Sequence, residues 1–355
     1  MKILSLSSDR NIFLKGSSAQ NRMMEYGALF DELHIIVAVK NADFKDIKFG
    51  NVFVYPVHTF VKPFYFIGVV LIAKKILKNR NSALDFVITA QDPFETGLAA
   101  YILKLIYGFS LQLQVHTDFL SPYFARESFL NKIRILTAKF LLPRTDRIRV
   151  VSERIKRSFT AVGLKLKNEP EVLPIYIDVK KIQSLEIKTD VKKKYPNFDF
   201  IILMASRLTK EKNIGLAIEV MAEIVKKYSK MGLIIIGSGP EENNLKLKIK
   251  NLKLNDSVVL EPWTDDLISY HKTADCFLLT SNYEGYGRTV VEAMACGLPV
   301  IMTDVGLAGE IIKNNVNGLV IPVGDANGLI RAVNLLLENK DKGRDLAEKA
   351  RNFGL

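Results

Sequence analysis

Short apolar runs alternate along the chain with longer stretches in which apolar residues recur every three or four positions. The runs predict buried strands and the three-to-four spacing predicts helices. In the first half, strands are expected at MKILSLSS, at 33–39 (LHIIVAV), 52–57 (VFVYPV), 86–90 (FVITA), 111–116 (LQLQVH) and 147–152 (RIRVVS). Helices are expected near 63–79, 96–107 and 128–142. After a linker expected at 171–179 (EVLPIYIDV) the alternation restarts. FIILMAS (200–206), a helix from Asn213 to Tyr228 and GLIIIG (232–237) come first, followed by the runs VVLEP, DCFLLTS, PVIMT and GLVIPV. Strands separated by helices imply parallel sheets covered on both faces. The fold expected is α/β: two Rossmann-like, doubly wound units facing each other across a cleft between the carboxyl ends of their strands, where such folds bind ligands.

The length of 355 residues agrees with two domains, because single cores rarely grow beyond about 250–300 residues. Cys276 and Cys296 give neither a disulfide framework nor metal-ligand spacing, so a reducing cytoplasm is expected. The N-terminus turns polar too early for a signal peptide. The longest apolar run, Phe64 to Ala73, falls short of the roughly 20 residues that span a bilayer. Net charge is +12, and its distribution is uneven. Residues 1–175 hold 25 Lys and Arg against 15 Asp and Glu, whereas residues 176–355 hold 25 against 23. A basic first half suggests a surface for nucleic acid, acidic lipid or a phosphorylated substrate, although lysines that only aid solubility fit equally. Docking on an anionic membrane, on its inner face, is expected through the stretch KPFYFIGVVLIAKKILKNR (62–80); a buried helix there is the competing expectation.

Candidate chemistry sits at the strand ends. In ASRLTKEKN, Arg207 follows a strand and Lys212 precedes Asn213, a residue type that caps helices. Two cations and a positive helix terminus then converge on one sheet edge, unless the loop is simply a solvated basic one. In EGYGRTVVEAMACG the amides of Gly287, Arg288 and Thr289 open a helix whose buried face is expected to hold Val290, Ala293, Met294 and Gly297. Glu292 is expected away from that face. A plain surface pair with Arg288 is disfavoured, since arginine at a helix N-terminus opposes the dipole and arginine-before-glutamate is the weaker order. An anion at that terminus would account for the arginine, and Glu292 one turn deeper would accept from a ribose diol. GSGP (237–240) lacks the third glycine of a dinucleotide fingerprint, and Glu241 and Glu242 would repel a pyrophosphate; a tight strand-to-helix turn is expected. In the first half, GSSAQNR, with Gly16 and Arg22, follows the first strand and a polar loop, and either admits backbone close to a ligand or is a flexible connection. His116 and Asp118 end an internal strand facing the expected cleft, where a structural histidine is as good an account as a catalytic one. No metal site and no cofactor is expected.

ASRLTKEKN, GSGP and EGYGRTVVEAMACGLPVI, in this order and spacing, resemble the retaining GT-B glycosyltransferases of family 4. QDPFETG (91–97), LQVHTDF (113–119), RVVSERI (149–155) and VLPIYID (172–178) extend the resemblance over most of the chain. It implies hexose or N-acetylhexosamine transfer from a nucleotide-sugar, a UDP-sugar or else a GDP-sugar, without a metal. The product would be a cell-surface polysaccharide or lipid-linked glycan. Residues 1–175 would form the acceptor side, with Gly16, Arg22 and Asp118 among its residues, and 176–355 the donor side. Arg207 and Lys212 would neutralise the diphosphate and Glu292 would hold the ribose. Glu284 and the Gly285–Tyr286–Gly287 amides would hold the sugar, beside Arg288 and Thr289. His116 would reach the sugar from the other lobe, and Trp263 and Thr264 would cradle the base. Glu284, His116, Arg207 and Lys212 are thus the catalytic candidates.

The resemblance also leads one to expect a final helix crossing back onto the first lobe. The sequence runs to ARNFGL soon after a helix expected near 344–351, so that crossover is either absent or shortened. Two further readings remain open at this point: a GT-B-like epimerase or phosphorylase, and a nucleic-acid-binding protein that uses the basic half.

Overall fold

The structure, a computed structural model, describes residues 1–39, 44–58, 65–77 and 86–353. The chain divides into two units, Met1–Leu173 and Pro174–Leu355. The first holds β1 (Lys2–Ser7), β2 (Glu32–Val39), β3 (Ile47–Phe49), β4 (Val52–His58), β5 (Phe86–Ala90), β6 (Ser110–Val115), β7 (Arg147–Val150) and β8 (Glu171–Val172). They lie in the order β3-β4-β2-β1-β5-β6-β7-β8, parallel throughout except for the β3–β4 pair. β3 is a three-residue hairpin arm turning through Gly50 (φ 59°). Its sequence, IKF, is too short to raise an apolar signal. β8 lies inside the stretch expected to be a linker.

GSSAQNR is not a flexible connection. Ser17 Oγ accepts from Gln20 N at 3.1 Å and starts a helix over Ser18–Gly27. The helix shows because Gly16 turns the chain at φ 77°, leaving Ser17 free to cap. The ends of the helix expected near 63–79 lie outside the described residues; its described part is Tyr65–Leu77.

The second unit holds β9 (Phe200–Ala205), β10 (Met231–Ile236), β11 (Val258–Glu261), β12 (Cys276–Leu279), β13 (Val300–Thr303) and β14 (Leu319–Ile321). Their order is β11-β10-β9-β12-β13-β14, every neighbour parallel. Apolar clusters pack on both faces of this sheet, which is why its strands read as unbroken hydrophobic runs rather than alternating ones. Ile234, Ile235 and Ile236 are fully buried, each worth roughly 1.5–3 kcal/mol over exposure. Strand order reverses between β9 and β12, so the chains leaving them diverge and open a crevice at the carboxyl edge. Both units therefore have the expected doubly wound α/β design. The last described helix, Lys340–Arg351, is capped by Asn339. Among the described residues no helix is long and apolar enough to cross a membrane.

His271 in this unit is a buried base with no hydrogen-bond partner on either ring nitrogen, its ring tilted against Phe277 with centroids 5.1 Å apart. Burial lowers its pKa from the usual 6.5 to about 3. The unfolded chain therefore takes up a proton below pH 6.5 that the folded chain refuses, and this contribution to stability declines as pH falls from 6.5 towards 3. His271→Phe is expected to move the acid-unfolding midpoint to lower pH, as read by circular dichroism; an unchanged midpoint would show that this histidine does not set acid sensitivity.

Candidate functional site

The candidates of the second half all lie on loops leaving the carboxyl edge of its sheet or in the helix that one of those loops enters. Arg207 and Lys212 follow β9, Trp263 and Thr264 follow β11, and Glu284 to Glu292 follow β12. β9 and β12 are the strands between which the order reverses. Each leads to a helix, Ile214–Lys227 and Arg288–Ala295, whose first amides have no partner inside the helix.

The two loops are fastened together. Thr280 Oγ1 is 3.0 Å from the carbonyls of both Lys212 and Asn213, and Asn282 N donates to the Glu211 carbonyl at 2.7 Å. Lys212 Nζ donates to Glu284 Oε1 at 2.5 Å, and Ser281 Oγ donates to the same oxygen at 2.8 Å. Both charged side chains are nearly buried, 14% and 12% exposed. Asn213 does stand at the helix cap, but its side chain caps nothing. Its left-handed backbone (φ 46°) instead turns the chain from a short 3-10 turn into the helix.

Arg207 and Arg288 hold their charges outward. Arg207 is 77% exposed and pairs at 3.2 Å with Glu211, which is 12% exposed. Arg288 Nε donates to Glu292 Oε1 at 2.8 Å. This corrects two expectations. The i, i+4 pair does form, and Glu292 is buried rather than turned away from the core. Burial explains both. It pushes the Glu292 carboxyl pKa up, against the pull of Arg288, so a nearby cation is worth more to it than to a surface carboxylate. Gly297 is not part of the buried face; at φ 70° it ends the helix.

At rest, therefore, each of the three cations is balanced by a carboxylate: Arg207 by Glu211, Lys212 by Glu284, Arg288 by Glu292. An arriving anion has to draw a cation away from its partner. Two helix termini, neither with an acidic residue in its first turn, add partial positive charge.

Glycines shape the approach. Gly287 enters the second helix at φ 98°, a conformation that side chains resist. Gly306 packs the next loop onto this turn, and a Cβ there would come 2.5 Å from the Tyr286 carbonyl oxygen. Tyr286 itself is buried, which raises its phenol pKa. It faces inward, so the turn has its backbone to offer. GSGP is the tight turn expected, followed by a helix over Glu242–Asn251. Trp263 is half exposed, and Thr264 Oγ1 accepts from Asp266 N at 3.1 Å.

In the first unit, His116 stands just past β6 in a hydrogen-bonded chain. Thr89 Oγ1 donates to Gln112 Oε1, Gln114 Nε2 donates to Thr89 Oγ1, and Gln114 Oε1 meets His116 Nε2, all at 3.0 Å. With Gln114 so oriented, His116 carries its proton on Nε2 and leaves Nδ1 as an acceptor. The ring has an exposed edge but sits among surrounding protein, and that desolvation, with the Arg149 and Arg22 charges, lowers its pKa to about 4. Burial raises the Asp118 carboxyl, opposed by Arg154. Gly16 N donates to Gln20 Oε1, and Arg22 lies 3.6 Å from Asp9. Gln114, Ser281 and Glu211 were not singled out from sequence. Glu211 had a signal, since it sits one residue before Lys212. Ser281 and Gln114 act through tertiary contacts that spacing alone does not show. Among the described residues no three His, Cys, Asp or Glu side chains group as a metal site.

Residues 187–353 match the family described as glycosyl transferases group 1. A glycosyltransferase of Methanocaldococcus jannaschii, itself described as uncharacterized, is 30% identical over 239 residues, 65% of this chain. The chain spans 58% of that relative's length. Among solved structures, sucrose-phosphate synthase from Thermosynechococcus elongatus superposes with a TM-score of 0.81 at 19% identity, over 99% of this chain and 93% of that one. Anabaena HepE in complex with UDP-glucose gives 0.76 at 22% identity, over 99% and 93%. Over most of its second unit this chain matches the glycosyl transferases group 1 family, and its two parallel-sheet units have the GT-B design.

Proposed function

We propose that this protein is a retaining glycosyltransferase that moves a sugar from a UDP-sugar to a cell-surface glycan or lipid-linked acceptor. The observation that carries the reading is the Lys212–Glu284 pair, which ties together the two loops at the strand-order reversal of a group 1 domain. A nucleoside diphosphate leaving an anomeric carbon gains negative charge. Lys212, Arg207 and the amides at the two helix starts are positive groups on one sheet edge, suited to stabilising that charge once the diphosphate draws the cations from their carboxylates. As the diphosphate draws Lys212, Glu284 is released to accept from sugar hydroxyls. Glu292 has one oxygen bonded to Arg288, leaving the other for a ribose hydroxyl. Trp263 and Thr264, on the neighbouring loop, are assigned to the base and His116 to the sugar, on their motifs. The HepE complex supports a uridine donor, and relatives named for lipopolysaccharide core and capsular polysaccharide biosynthesis support a glycan acceptor.

Because protein groups supply the positive charge, UDP is expected to stabilise the chain in EDTA. At ten times its Kd the gain is about 1.4 kcal/mol. Thermal shift with UDP, GDP and their sugars reads this directly. Stabilisation that appears only with added magnesium or manganese would overturn the metal-free part of the reading, and stabilisation by RNA but by no nucleotide would overturn the whole.

A further inference from the structure

The helical layer on one face of the first unit exposes apolar side chains on three neighbouring helices. The helix Phe129–Leu141 buries Asn131, Ala138 and Leu141 but exposes Phe129 (77%), Ile133, Leu136 (68%) and Phe140. These four follow a spacing of three and four, so they form one stripe along the helix. A soluble helix normally turns such a stripe to its core. Beside it runs the helix Glu95–Tyr107, exposing Leu105 and Ile106, and next to that the helix Tyr65–Leu77, exposing Ile67 and Leu71. Tyr101 meets Phe140 edge-on at 5.9 Å, joining the first two helices at this surface. Isolated exposed leucines are ordinary, but a stripe on one helix with further exposed apolar side chains on two neighbouring helices marks an interaction surface.

Its charge identifies the partner. The helices 65–77 and 129–141 contain no Asp or Glu, and Glu95, the one acid of the middle helix, is held by Arg134 at 2.7 Å. Exposed Lys74, Lys132 and Lys139 stand among the apolar residues, and Arg144 lies 4.0 Å over the Phe140 ring. A second copy of the chain docking by a two-fold would set this basic surface against itself. Apolar side chains that enter a hydrocarbon boundary, flanked by lysines at headgroup level, fit an anionic lipid bilayer instead.

We propose that the first unit docks on anionic membranes through this three-helix face, with the Phe129–Phe140 stripe as its inserted edge. The stretch 62–80, expected from sequence to carry such a contact, contributes its described part, Ile67, Leu71 and Lys74, at the margin; the remainder lies outside the described residues. The assignment deepens the proposed function, since a lipid-linked acceptor would be met at such a surface, but it is tested apart from it.

Sedimentation of the full chain with phosphatidylglycerol-containing vesicles, with no nucleotide present, reads the docking alone. Wild type is expected to pellet at low salt and to be partly released at high salt. Phe129→Glu/Leu136→Glu, both at exposed positions, should weaken binding roughly ten-fold or more, with circular dichroism confirming an intact fold. Lys132→Glu/Lys139→Glu should remove the salt-sensitive part. No pelleting of wild type at low salt, or equal pelleting of the Phe129/Leu136 variant, would overturn the proposal. So would a concentration-dependent dimer in ultracentrifugation that this variant abolishes, because the face would then belong to a second copy. Failure here with UDP binding retained leaves the transferase reading standing.

Discussion

Lys212→Ala is expected to lower the rate of sugar transfer by roughly 30- to 1,000-fold, the 2–4 kcal/mol typical of losing a fixed charge stabilising a developing anion. Part of any loss could arise from folding, since removing Lys212 leaves Glu284 nearly buried with Ser281 as its remaining donor. Breaking a buried pair from one side strands a charge, whereas removing both charges does not. Lys212→Met/Glu284→Gln reads the stability part: it should recover thermal stability relative to Lys212→Ala. The rate part is read from Lys212→Ala below its melting temperature, where an unaltered rate would make the lysine a structural strut.

Glu284→Ala should be as damaging to transfer and opposite in its effect on nucleotide binding. The glutamate is tied to Lys212 at 2.5 Å in the unliganded protein, so its removal frees the ammonium for a diphosphate. UDP affinity is expected to hold or rise. Transfer should collapse because the sugar loses the carboxylate that orients it. Calorimetry with UDP and a donor-hydrolysis assay give the two halves. Loss of UDP affinity in parallel with rate would place Glu284 on the nucleotide instead.

The strands of the second unit were legible because both faces of its sheet are covered, so burial writes unbroken runs such as FIILMA and GLIIIG into the chain. The helix at Ser18 was not, because SAQNRMMEYG carries few apolar residues and its start depends on a cap, not a stripe. The charges at the candidate site were legible one at a time: Arg207 and Lys212 by their place after a strand, Glu292 by its place in a helix. The pairing of Lys212 with Glu284 was not. Lys212 and Glu284 lie 72 positions apart and meet only when β9 and β12 pair. Burial of Glu292 reversed the expectation about Arg288 for the same reason, since helix spacing shows which residues neighbour one another but not how much protein covers them. The stripe at Phe129–Phe140 was read as an ordinary helix because periodicity marks an apolar face without saying what it faces.

The central claim is that the second unit grips a nucleoside diphosphate at the β9–β12 edge, with Glu292 on the ribose and Glu284 on the sugar. Calorimetric titration of UDP, in EDTA, into wild type, Glu292→Ala and Glu284→Ala tests it most directly. The account predicts metal-free binding by wild type, binding weaker by about 1–3 kcal/mol in Glu292→Ala for the lost charged hydrogen bonds, and undiminished binding in Glu284→Ala. Equal losses in the two variants, or no loss in either, would contradict it and leave Arg288–Glu292 as a structural ion pair.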